Sequence, residues 1–535
     1  MSASSRSRKR TRALALVLSC AVAWPALAQD GSQGGEPSRL GPMELDPVLE
    51  PAPSTGAGSD AESEAPANGG SDTPKAAEGG DAQPKGETGG DAGSETAGEG
   101  DGEEEAGPEG IEVDRLGELD SGTLGILDPG AGGLGPNMWR ETPRRVVESL
   151  LPRIPDHLES PAVRALARRL LLSSSAPPKR RRTPDGETPS LLRLRLDRLM
   201  ALGHYGDVVE LLRVVPRRDY TTALQRTRVT AALIAGETKM ACNIVEGAAS
   251  DAQGGFWQKA LAVCQLARGR TQQASLTASL MREMADRPSR FLAVFDAVRT
   301  DGPLPSPPYP RMAVALLLSQ DRALPAGVVD RRDPGLNRAI AHHDATPASV
   351  RAAAAEWAAA ADLLAPADLR ERYRSVDFPE NLVTAARERR LTLAPPAAGA
   401  LTPAERRALR FQAARTAETP ATRARIMASV FTAVPQDRYV GVVRAFVPLL
   451  LQDGPQPELA WFAGTAGRAL YAAGRADVAT EWLKLAREEA VITPDASAAL
   501  TALWPYARMA GAAAVPMNGG LAAWRGAQPD NGARV

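Results

Sequence analysis

A regular spacing of glycines is the feature of this 535-residue chain that most restricts its fold. Gly203, Gly236 and Gly269 are 33 residues apart, and Gly474 lies in similar surroundings further along the chain. A recurrence of about 20–50 residues indicates a stack of similar supersecondary units, each of which buries its apolar face against its neighbours. We therefore predict an array of helical hairpins, an architecture that usually serves binding rather than catalysis.

Three further columns of residues repeat with these glycines. A bulky apolar residue stands twelve positions before each glycine, a small one five positions after it, and another apolar residue nine positions after it. In the order of the four units they are Leu191, Leu224, Trp257 and Phe462; Val208, Ala241, Ala274 and Ala479; and Leu212, Val245, Ala278 and Leu483. Each column has a physical reason: the bulky residue anchors the first helix, the glycine ends that helix with φ > 0, and the small residue lets the second helix approach. The last column lies one turn further along the same face.

This pattern resembles the tetratricopeptide repeat, whose second helix follows a glycine, a turn and a small residue five positions on. The stretch from Gly203 to Val208 is similar to that segment, and the stretch from Gly474 to Ala479 is similar to it again. The chain departs from the repeat in three ways. Val208 replaces the usual alanine, most units lack an aromatic residue after the turn, and no proline closes each unit regularly.

The clear resemblance covers residues 190–285 and 456–490, about a quarter of the chain. It implies an all-α, tetratricopeptide-like α-solenoid with a concave groove lined by the first helices. Such a groove generally takes a peptide or an extended segment of a protein. The motif does not fix individual groove residues, and an ordinary helical bundle with unrelated glycines is the alternative fold.

The N-terminus has the pattern of a secretory signal peptide. Five basic residues precede an apolar stretch from Ala13 to Ala23, and Ala26-Leu27-Ala28 follows as a small-x-small cleavage site. We predict a signal peptide over 1–28, cleavage after Ala28 and a periplasmic protein; lipid attachment at Cys20 is the alternative. The apolar stretch is shorter than the ~20 residues of a membrane span, and no later stretch approaches that length. We therefore expect a protein that does not span the membrane.

Residues 29–120 form an acidic, low-complexity segment that is predicted to be disordered. Between Asp30 and Asp120 there are 24 acidic and four basic residues, a charge of −20, with too few apolar residues to offset the entropy of ordering. The whole chain has a charge of −1, and the five basic residues at the start of the signal peptide contribute +5. The residues from Ser121 onward therefore carry +14. The acidic segment is either a solvated spacer or a competitor that folds over the basic body. An anionic envelope surface is a more plausible partner for an exported basic body than nucleic acid.

Composition divides the remaining chain into five segments. These are a lead-in with short helices at 144–151 and 161–172 and a basic loop (121–189), a first repeat block (190–300), middle helices with Pro-rich linkers and a helix at 346–362 (301–402), a C-terminal helical block (403–510) and a flexible tail (511–535). Helical spacing of Ala, Leu and Arg, few aromatic residues and scarce β-branched runs make the whole body all-α.

The most concentrated basic cluster lies in the lead-in, between two prolines. Lys179, Arg180, Arg181 and Arg182 are consecutive. They are interpreted as a solvated linker, or else as a docking site for an anionic surface or for the acidic segment.

Two cysteines remain after removal of the signal peptide. Cys242 falls on the second helix of one predicted unit and Cys264 on the first helix of the next, at similar distances from the intervening turn. In an antiparallel hairpin they lie at the same height, so we predict a structural disulfide. A redox-active pair or two separate buried thiols are the alternatives.

Several apparent catalytic or cofactor motifs lack the context that their chemistry needs. The glycines from Gly130 to Gly135 spell GxGxxG, but prolines flank them and no strand is predicted before them. His342-His343-Asp344 is predicted to end a helix rather than to bind a metal, because adjacent helical residues diverge by about 100°. Glu148-Ser149 matches a dipeptide of lytic transglycosylases without the Gly- and Gln-rich segment expected after it. No catalytic, metal or cofactor residue is assigned.

The sequence as a whole predicts a non-enzymatic periplasmic scaffold. It would bind a protein or peptide partner in the repeat groove and serve envelope assembly or an envelope machine. Two alternatives remain: an enzyme acting on peptidoglycan through an unrecognised site, and a surface or structural protein that self-associates through its acidic segment and basic body.

Overall fold

The computed structural model describes residues 121–178, 190–248, 254–284, 289–388, 401–511 and 520–526. The chain divides into two units, Met1–Gly107 and Pro108–Val535, and every described residue belongs to the second. The predicted signal peptide and most of the acidic segment belong to the first unit. The described residues include no part of the signal peptide or of the acidic segment. They also do not include the cluster Lys179–Arg182 or most of the predicted C-terminal tail.

The described residues are all-α, as predicted, apart from one isolated bridge between Leu127 and Ser173. The helices of the N-terminal half are α1 (Arg144–Leu150), α2 (Pro161–Leu172), α3 (Leu191–Ala201), α4 (Tyr205–Arg213), α5 (Thr222–Ile234), α6 (Thr238–Gly247), α7 (Gly255–Ala267), α8 (Thr271–Glu283), α9 (Arg290–Arg299), α10 (Arg311–Ser319) and α11 (Pro334–His342). Those that follow are α12 (Ala348–Ala360), α13 (Pro366–Arg374), α14 (Glu380–Arg387), α15 (Pro403–Arg415), α16 (Pro420–Ala433), α17 (Gln436–Asp453), α18 (Ala463–Ala472), α19 (Ala476–Glu489), α20 (Pro494–Met509) and α21 (Gly520–Gly526). Short 3₁₀ helices lie at Ser121–Thr123, Leu151–Arg153, Arg217–Asp219, Ala326–Val328 and Pro457–Phe462.

Each of the four glycines that define the repeat lies just after the first helix of a helical hairpin. The glycines follow α3, α5, α7 and α18, and their φ values are 81°, 86°, 71° and 81°. At the first of them the amide of His204 donates to the carbonyl oxygen of Leu199 (2.8 Å) and the amide of Gly203 to that of Met200 (3.2 Å). The same two hydrogen bonds recur at the other three glycines and satisfy carbonyls that the helix end would leave unpaired.

The three residue columns that accompany the glycines form the inside of these hairpins. All twelve residues are buried, none of them more than 5% exposed. Val208 is as fully buried as the alanines in its column, so a β-branched residue fits where α4 approaches α3. The periodic pattern therefore identified real packing positions.

The hairpins α3–α4, α5–α6 and α7–α8 pack in chain order, because α4 contacts α5 and α6 contacts α7, and among the first helices α3 contacts α5 and α5 contacts α7. The chain then returns, and α10 packs against both α5 and α7. Residues Met312 to Leu317 of α10 are all buried, as expected for a helix that is apolar on every side. The first-helix surface of α5 and α7, where the resemblance places a peptide groove, is thus covered by the chain's own helix.

The second half is organised around α12. This alanine-rich helix contacts α11, α13, α15 and α17, and the C-terminal helices α18, α19 and α20 pack together with the segment Pro457–Phe462. At Gly441 of α17 a β-carbon would lie 2.7 Å from the backbone nitrogen of Ala360, so only glycine allows α17 to cross the end of α12 this closely. A single large apolar cluster extends through the described residues from Val147 to Ala499.

Candidate functional site

A cavity of about 770 Å³ opens on the second hairpin of the array. Its walls are Arg217 of the 3₁₀ turn before α5, Tyr220 directly after that turn, one side of α5, and one side of α6. The α5 residues Thr222, Gln225 and Arg228 line it at three-residue intervals, as expected for one helix face. This volume lies within the range of ligand pockets in proteins, about 300–1,000 Å³.

The wall formed by α6 is apolar in its middle and has small residues at its C-terminal end. Met240 and Ile244 form an apolar wall, whereas Gly247 and Ala248 near the end of the helix contribute almost no side chain. A β-carbon built on Gly247 would meet no atom within 4 Å. A larger side chain at this position would therefore have room beside the cavity.

Two arginines give the cavity its charge. Nη1 of Arg228 donates a hydrogen bond to the phenol oxygen of Tyr220 (3.0 Å), and the Arg228 guanidinium carbon lies 5.3 Å from the centroid of that ring. The Tyr220 hydroxyl in turn donates to the carbonyl oxygen of Leu212. Burial raises the pKa of Tyr220, although the charges of Arg228 and Arg217 oppose this shift. Tyr220 thus fixes Arg228 in one orientation.

The positive charge of the cavity is not balanced within the part of the chain that the structure describes. None of the described residues that line the cavity is acidic, and neither Arg217 nor Arg228 forms an ion pair with a described carboxylate. Nε of Arg228 is buried and has no hydrogen-bond partner among these residues. Because an arginine recognises carboxylates through a rigid fork of donors, this arrangement is suited to an anionic ligand.

Two arginines of the adjacent hairpins are paired with glutamates of the cavity hairpin. Arg213 lies 2.7 Å from Glu237, and Arg268 lies 2.5 Å from Glu246. Both glutamates, at the two ends of α6, are thus paired with arginines outside the cavity.

The cavity hairpin is joined covalently to the next one. Cys242 of α6 and Cys264 of α7 form a disulfide, with their Cα atoms 5.2 Å apart. Both residues are buried. The predicted pairing is therefore present, and it holds the cavity wall α6 against α7.

Other charged clusters join separate elements of the fold. Glu356 of α12 is fully buried and accepts hydrogen bonds from the Tyr373 hydroxyl (2.9 Å) and from Nε and Nη2 of Arg407 (2.7 Å for Nε). Nη1 of Arg438 is 3.4 Å from the same carboxylate, and its guanidinium lies over the ring of Trp357. Burial raises the pKa of Tyr373 well above its ordinary value, with the Glu356 charge acting in the same direction. These contacts connect α12, α13, α15 and α17.

A buried arginine that has no carboxylate partner among the described residues holds the lead-in. The guanidinium of Arg195 donates to the carbonyl oxygens of Leu171 (2.7 Å), Leu124 (2.6 Å), Gly122 (3.0 Å) and Ser173 (3.1 Å). Burial lowers the pKa of Arg195 to about 10. Four carbonyls satisfy its donors, so this residue is a structural clamp between the lead-in, α2 and α3.

A third cluster attaches the returning chain to the first hairpin. The Tyr205 hydroxyl donates to both carboxylate oxygens of Asp333 at 2.8 Å, and Nε of Arg311 lies 3.0 Å from the same carboxylate. Asp333 also caps α11 by accepting from the amide of Leu336. Close by, a β-carbon on Gly203 would lie 2.4 Å from the backbone nitrogen of Gly335, so the two segments touch through glycines.

The apparent motifs of the sequence occupy structural positions. The Gly130–Gly135 segment forms turns without a preceding strand, and Nε of Arg169 donates to the Gly132 carbonyl. His342 ends α11, as predicted, and Glu148 lies 2.7 Å from Arg144 on the same helix. Within the described ranges no group of residues is arranged to hold a metal ion, and no helix there is long and apolar enough to cross a membrane.

Sequence reasoning placed its basic site at Lys179–Arg182 and missed the cavity residues Arg217, Tyr220 and Arg228. The signal available was an arginine-rich turn, PRRDY, directly before a repeat helix whose exposed face carries a further arginine. That signal is weak alone, because the pairing of arginines with carboxylates depends on contacts between elements.

The comparisons with known proteins add no relative: no protein-family model, no curated protein and no solved structure matches this chain.

Proposed function

We propose that the protein is a non-enzymatic, tetratricopeptide-like helical-repeat scaffold of the periplasm that binds an acidic segment of a protein partner, in envelope assembly or an envelope machine. The observation that carries this proposal is the cavity beside α5 and α6, with two arginines that have no described carboxylate partner. Because α10 covers the first-helix surface of α5 and α7, the cavity replaces the groove as the proposed binding site.

The chemistry of the cavity walls favours a peptide. Gln225 and Asn243 offer amide groups of the kind that pair with a peptide backbone, while Met240 and Ile244 offer apolar contact. Arg217 and Arg228 would pair with acidic side chains. Ligand pockets commonly combine an apolar wall with a few fixed polar groups in this way.

Direct binding of a defined acidic peptide tests the proposal. The probe is a fluorescein-labelled octapeptide of alternating Glu and Ser, titrated with the chain from residue 29 onward and followed by fluorescence anisotropy. We expect Arg217→Gln and Arg228→Gln each to weaken binding about tenfold, the loss of one charge-assisted contact. Gly247→Leu should weaken it as well, because the new side chain fills the cavity without changing its charge.

Arg415→Gln is the matched control, since Arg415 is an exposed arginine at the end of α15, outside the cavity. It should bind the probe as the unaltered protein does. Equal binding by the control and by all three cavity variants, or no binding of the probe at low salt, would overturn the proposal.

The periplasmic location has its own test. The signal-peptide pattern and the disulfide both support export. We expect the protein recovered from the periplasmic fraction to begin at Gln29, as measured by intact mass. Recovery of the uncleaved chain from the cytosol would contradict this part of the proposal.

A further inference from the structure

The hairpin that follows the cavity presents a different surface at equivalent positions. The 33-residue spacing that relates Gly236 to Gly269 also relates Asn243 to Leu276 and Gly247 to Leu280. Asn243 and Gly247 line the cavity on α6, so Leu276 and Leu280 occupy the same columns of α8. The two positions that carry a polar residue and a glycine on α6 thus carry leucines on α8.

These leucines belong to an exposed apolar stripe. Leu276, Leu280 and Met284 follow one another at four-residue intervals and are 73%, 47% and 62% exposed. Side chains at this spacing share one face of a helix. Monomeric proteins seldom leave such a stripe uncovered on an ordered helix, and contiguous apolar patches mark interaction sites.

A contact across the hairpin places the stripe on the same side of the array as the cavity. Nε2 of Gln258, on α7, lies 3.4 Å from the sulfur of Met284. Gln258 is the residue equivalent to Gln225, which lines the cavity on α5. The same column therefore borders the cavity in one hairpin and the stripe in the next.

The stripe lies where the packing order of the hairpins changes. In the first two hairpins the second helix is followed by a helix that packs on it, since α4 contacts α5 and α6 contacts α7. After α8 the chain takes another course: α9 packs against α10, and an ion pair of 2.5 Å between Arg282 and Asp296 joins α8 to α9. The stripe lies on the last hairpin before this change.

We propose that the cavity and the α8 stripe together bind one amphipathic segment of a partner protein, whose acidic side chains enter the cavity and whose apolar side chains cover Leu276, Leu280 and Met284. This inference rests on the proposed function and specifies its partner. The acidic side chains of the segment complement the charge of the cavity arginines, and its apolar side chains complement the adjacent stripe. Neighbouring helices are about 8–10 Å apart, so the two surfaces are separated by roughly 10–20 Å. An extended peptide crosses this distance in about three to six residues.

Two labelled peptides test this arrangement with the chain from residue 29 onward. The first is the alternating Glu–Ser octapeptide, and the second extends it by a four-residue Gly–Ser spacer and a Leu-Ser-Leu end. We expect the second peptide to bind about tenfold more tightly than the first, because two leucines are partly buried. The double substitution Leu276→Gln with Leu280→Gln should abolish that difference and leave the affinity for the first peptide unchanged.

The matched control replaces two other exposed leucines, Leu150→Gln with Leu166→Gln, both 52% exposed on α1 and α2. It should leave both affinities unchanged, and thermal unfolding of each variant should show that it is folded. If the stripe variant binds the second peptide as tightly as the unaltered protein while Arg228→Gln weakens both peptides, the inference fails and the proposed function stands. If Arg217→Gln and Arg228→Gln affect neither peptide, the proposed function fails and the inference with it.

Discussion

The guanidinium of Arg228 lies against the ring of Tyr220, with 5.3 Å between its carbon and the ring centroid and 3.0 Å between Nη1 and the phenol oxygen. The Tyr220 hydroxyl is itself anchored to the carbonyl oxygen of Leu212, in α4. The orientation of the cavity arginine is therefore set from the preceding hairpin. Preorganised donors cost less to order when a ligand binds, so this contact should matter for affinity.

We predict that Tyr220→Phe weakens binding of the acidic octapeptide threefold to tenfold. The substitution keeps the ring but removes both the acceptor for Arg228 and the donor to Leu212, so the guanidinium gains freedom that binding must remove. Fluorescence anisotropy measures the change. The comparison variant is Tyr439→Phe, where an arginine, Arg468, also lies over the ring at 5.0 Å, but in the C-terminal half. Equal losses in the two variants would show that the effect is not specific to the cavity.

The disulfide should contribute about 3 kcal/mol to the free energy of unfolding, because its sequence separation is 22 residues and the cross-link restricts the unfolded chain. We predict that replacing Cys242 and Cys264 together by Ala lowers the urea midpoint accordingly. Reduction of the unaltered protein should produce a similar loss, whereas a reducing agent should leave the double variant unchanged. A double variant as stable as the oxidised protein contradicts this prediction.

Part of the fold could be predicted from sequence because its signals are local. The glycines at 203, 236, 269 and 474 take the left-handed conformation that the pattern required, and the boundaries of α2 were predicted at Pro161 and Leu172. The disulfide followed from the same repeat register. Each of these features depends on residues within one hairpin or between two adjacent ones.

Features set by distant contacts could not be predicted. The covering of α5 and α7 by α10 joins helices about 60 to 90 residues apart in the chain, and no periodicity specifies it. The open space beside Gly247 could not be predicted either, since in sequence this residue is one more glycine near a helix end. The glycine pattern also does not include aspartates that take the same left-handed conformation at a helix end.

Three aspartates end helices in the left-handed conformation, in the position that glycine occupies in the repeats. Asp301, Asp321 and Asp362 have φ values of 53°, 46° and 59°, after α9, α10 and α12. Aspartate tolerates this region better than most residues, but glycine adopts it without a β-carbon penalty. These aspartates stand at the same distance after an apolar helix as the repeat glycines do. A pattern that allows either Gly or Asp at this position therefore predicts these turns.

We predict that Asp321→Gly raises the free energy of unfolding by about 0.5–1 kcal/mol, because it removes the left-handed penalty at a side chain that is 94% exposed and has only a long contact, 3.7 Å, with Nε2 of His343 among the described residues. The comparison is Asp362→Gly. It relieves the same conformation but removes the ion pairs that Asp362 forms with Arg164, at 2.7 Å, and with Arg444. Urea unfolding should show a gain for the first variant and none for the second; a loss in Asp321→Gly would contradict the argument.

The lowered pKa of Asp207 predicts how the free energy of unfolding depends on pH. Burial of its carboxyl raises the pKa, but hydrogen bonds from His204 and from Arg168, which is bidentate at 2.7 Å, outweigh burial and lower the pKa to about 2. Its ordinary value of 3.8 applies in the unfolded chain. The resulting stabilisation, about 2 kcal/mol, is present above pH 3.8 and is lost as the pH falls towards 2.

We predict that Asp207→Asn is less stable than the unaltered protein at pH 7 by about 2 kcal/mol and that the difference shrinks as the pH falls from 5 to 2. Urea midpoints measured across this range test it. The control is Asp197→Asn, because Asp197 pairs with Arg193 on an exposed surface of α3 and should contribute little at any pH. A constant difference between Asp207→Asn and the unaltered protein would show that the carboxylate charge is not responsible.

Substitution of Glu356 should change the stability of the protein without changing its binding of the peptide. Glu356→Gln leaves the guanidinium of Arg407 buried beside a neutral amide, and breaking one partner of a buried ion pair costs about 3–5 kcal/mol. We predict a loss of that size in urea unfolding. At temperatures where the variant stays folded, its affinity for the acidic octapeptide should equal that of the unaltered protein, because the cluster lies among α12, α13, α15 and α17 and not at the cavity. A folded variant with weakened peptide binding would instead mean that the central helices form part of the binding surface.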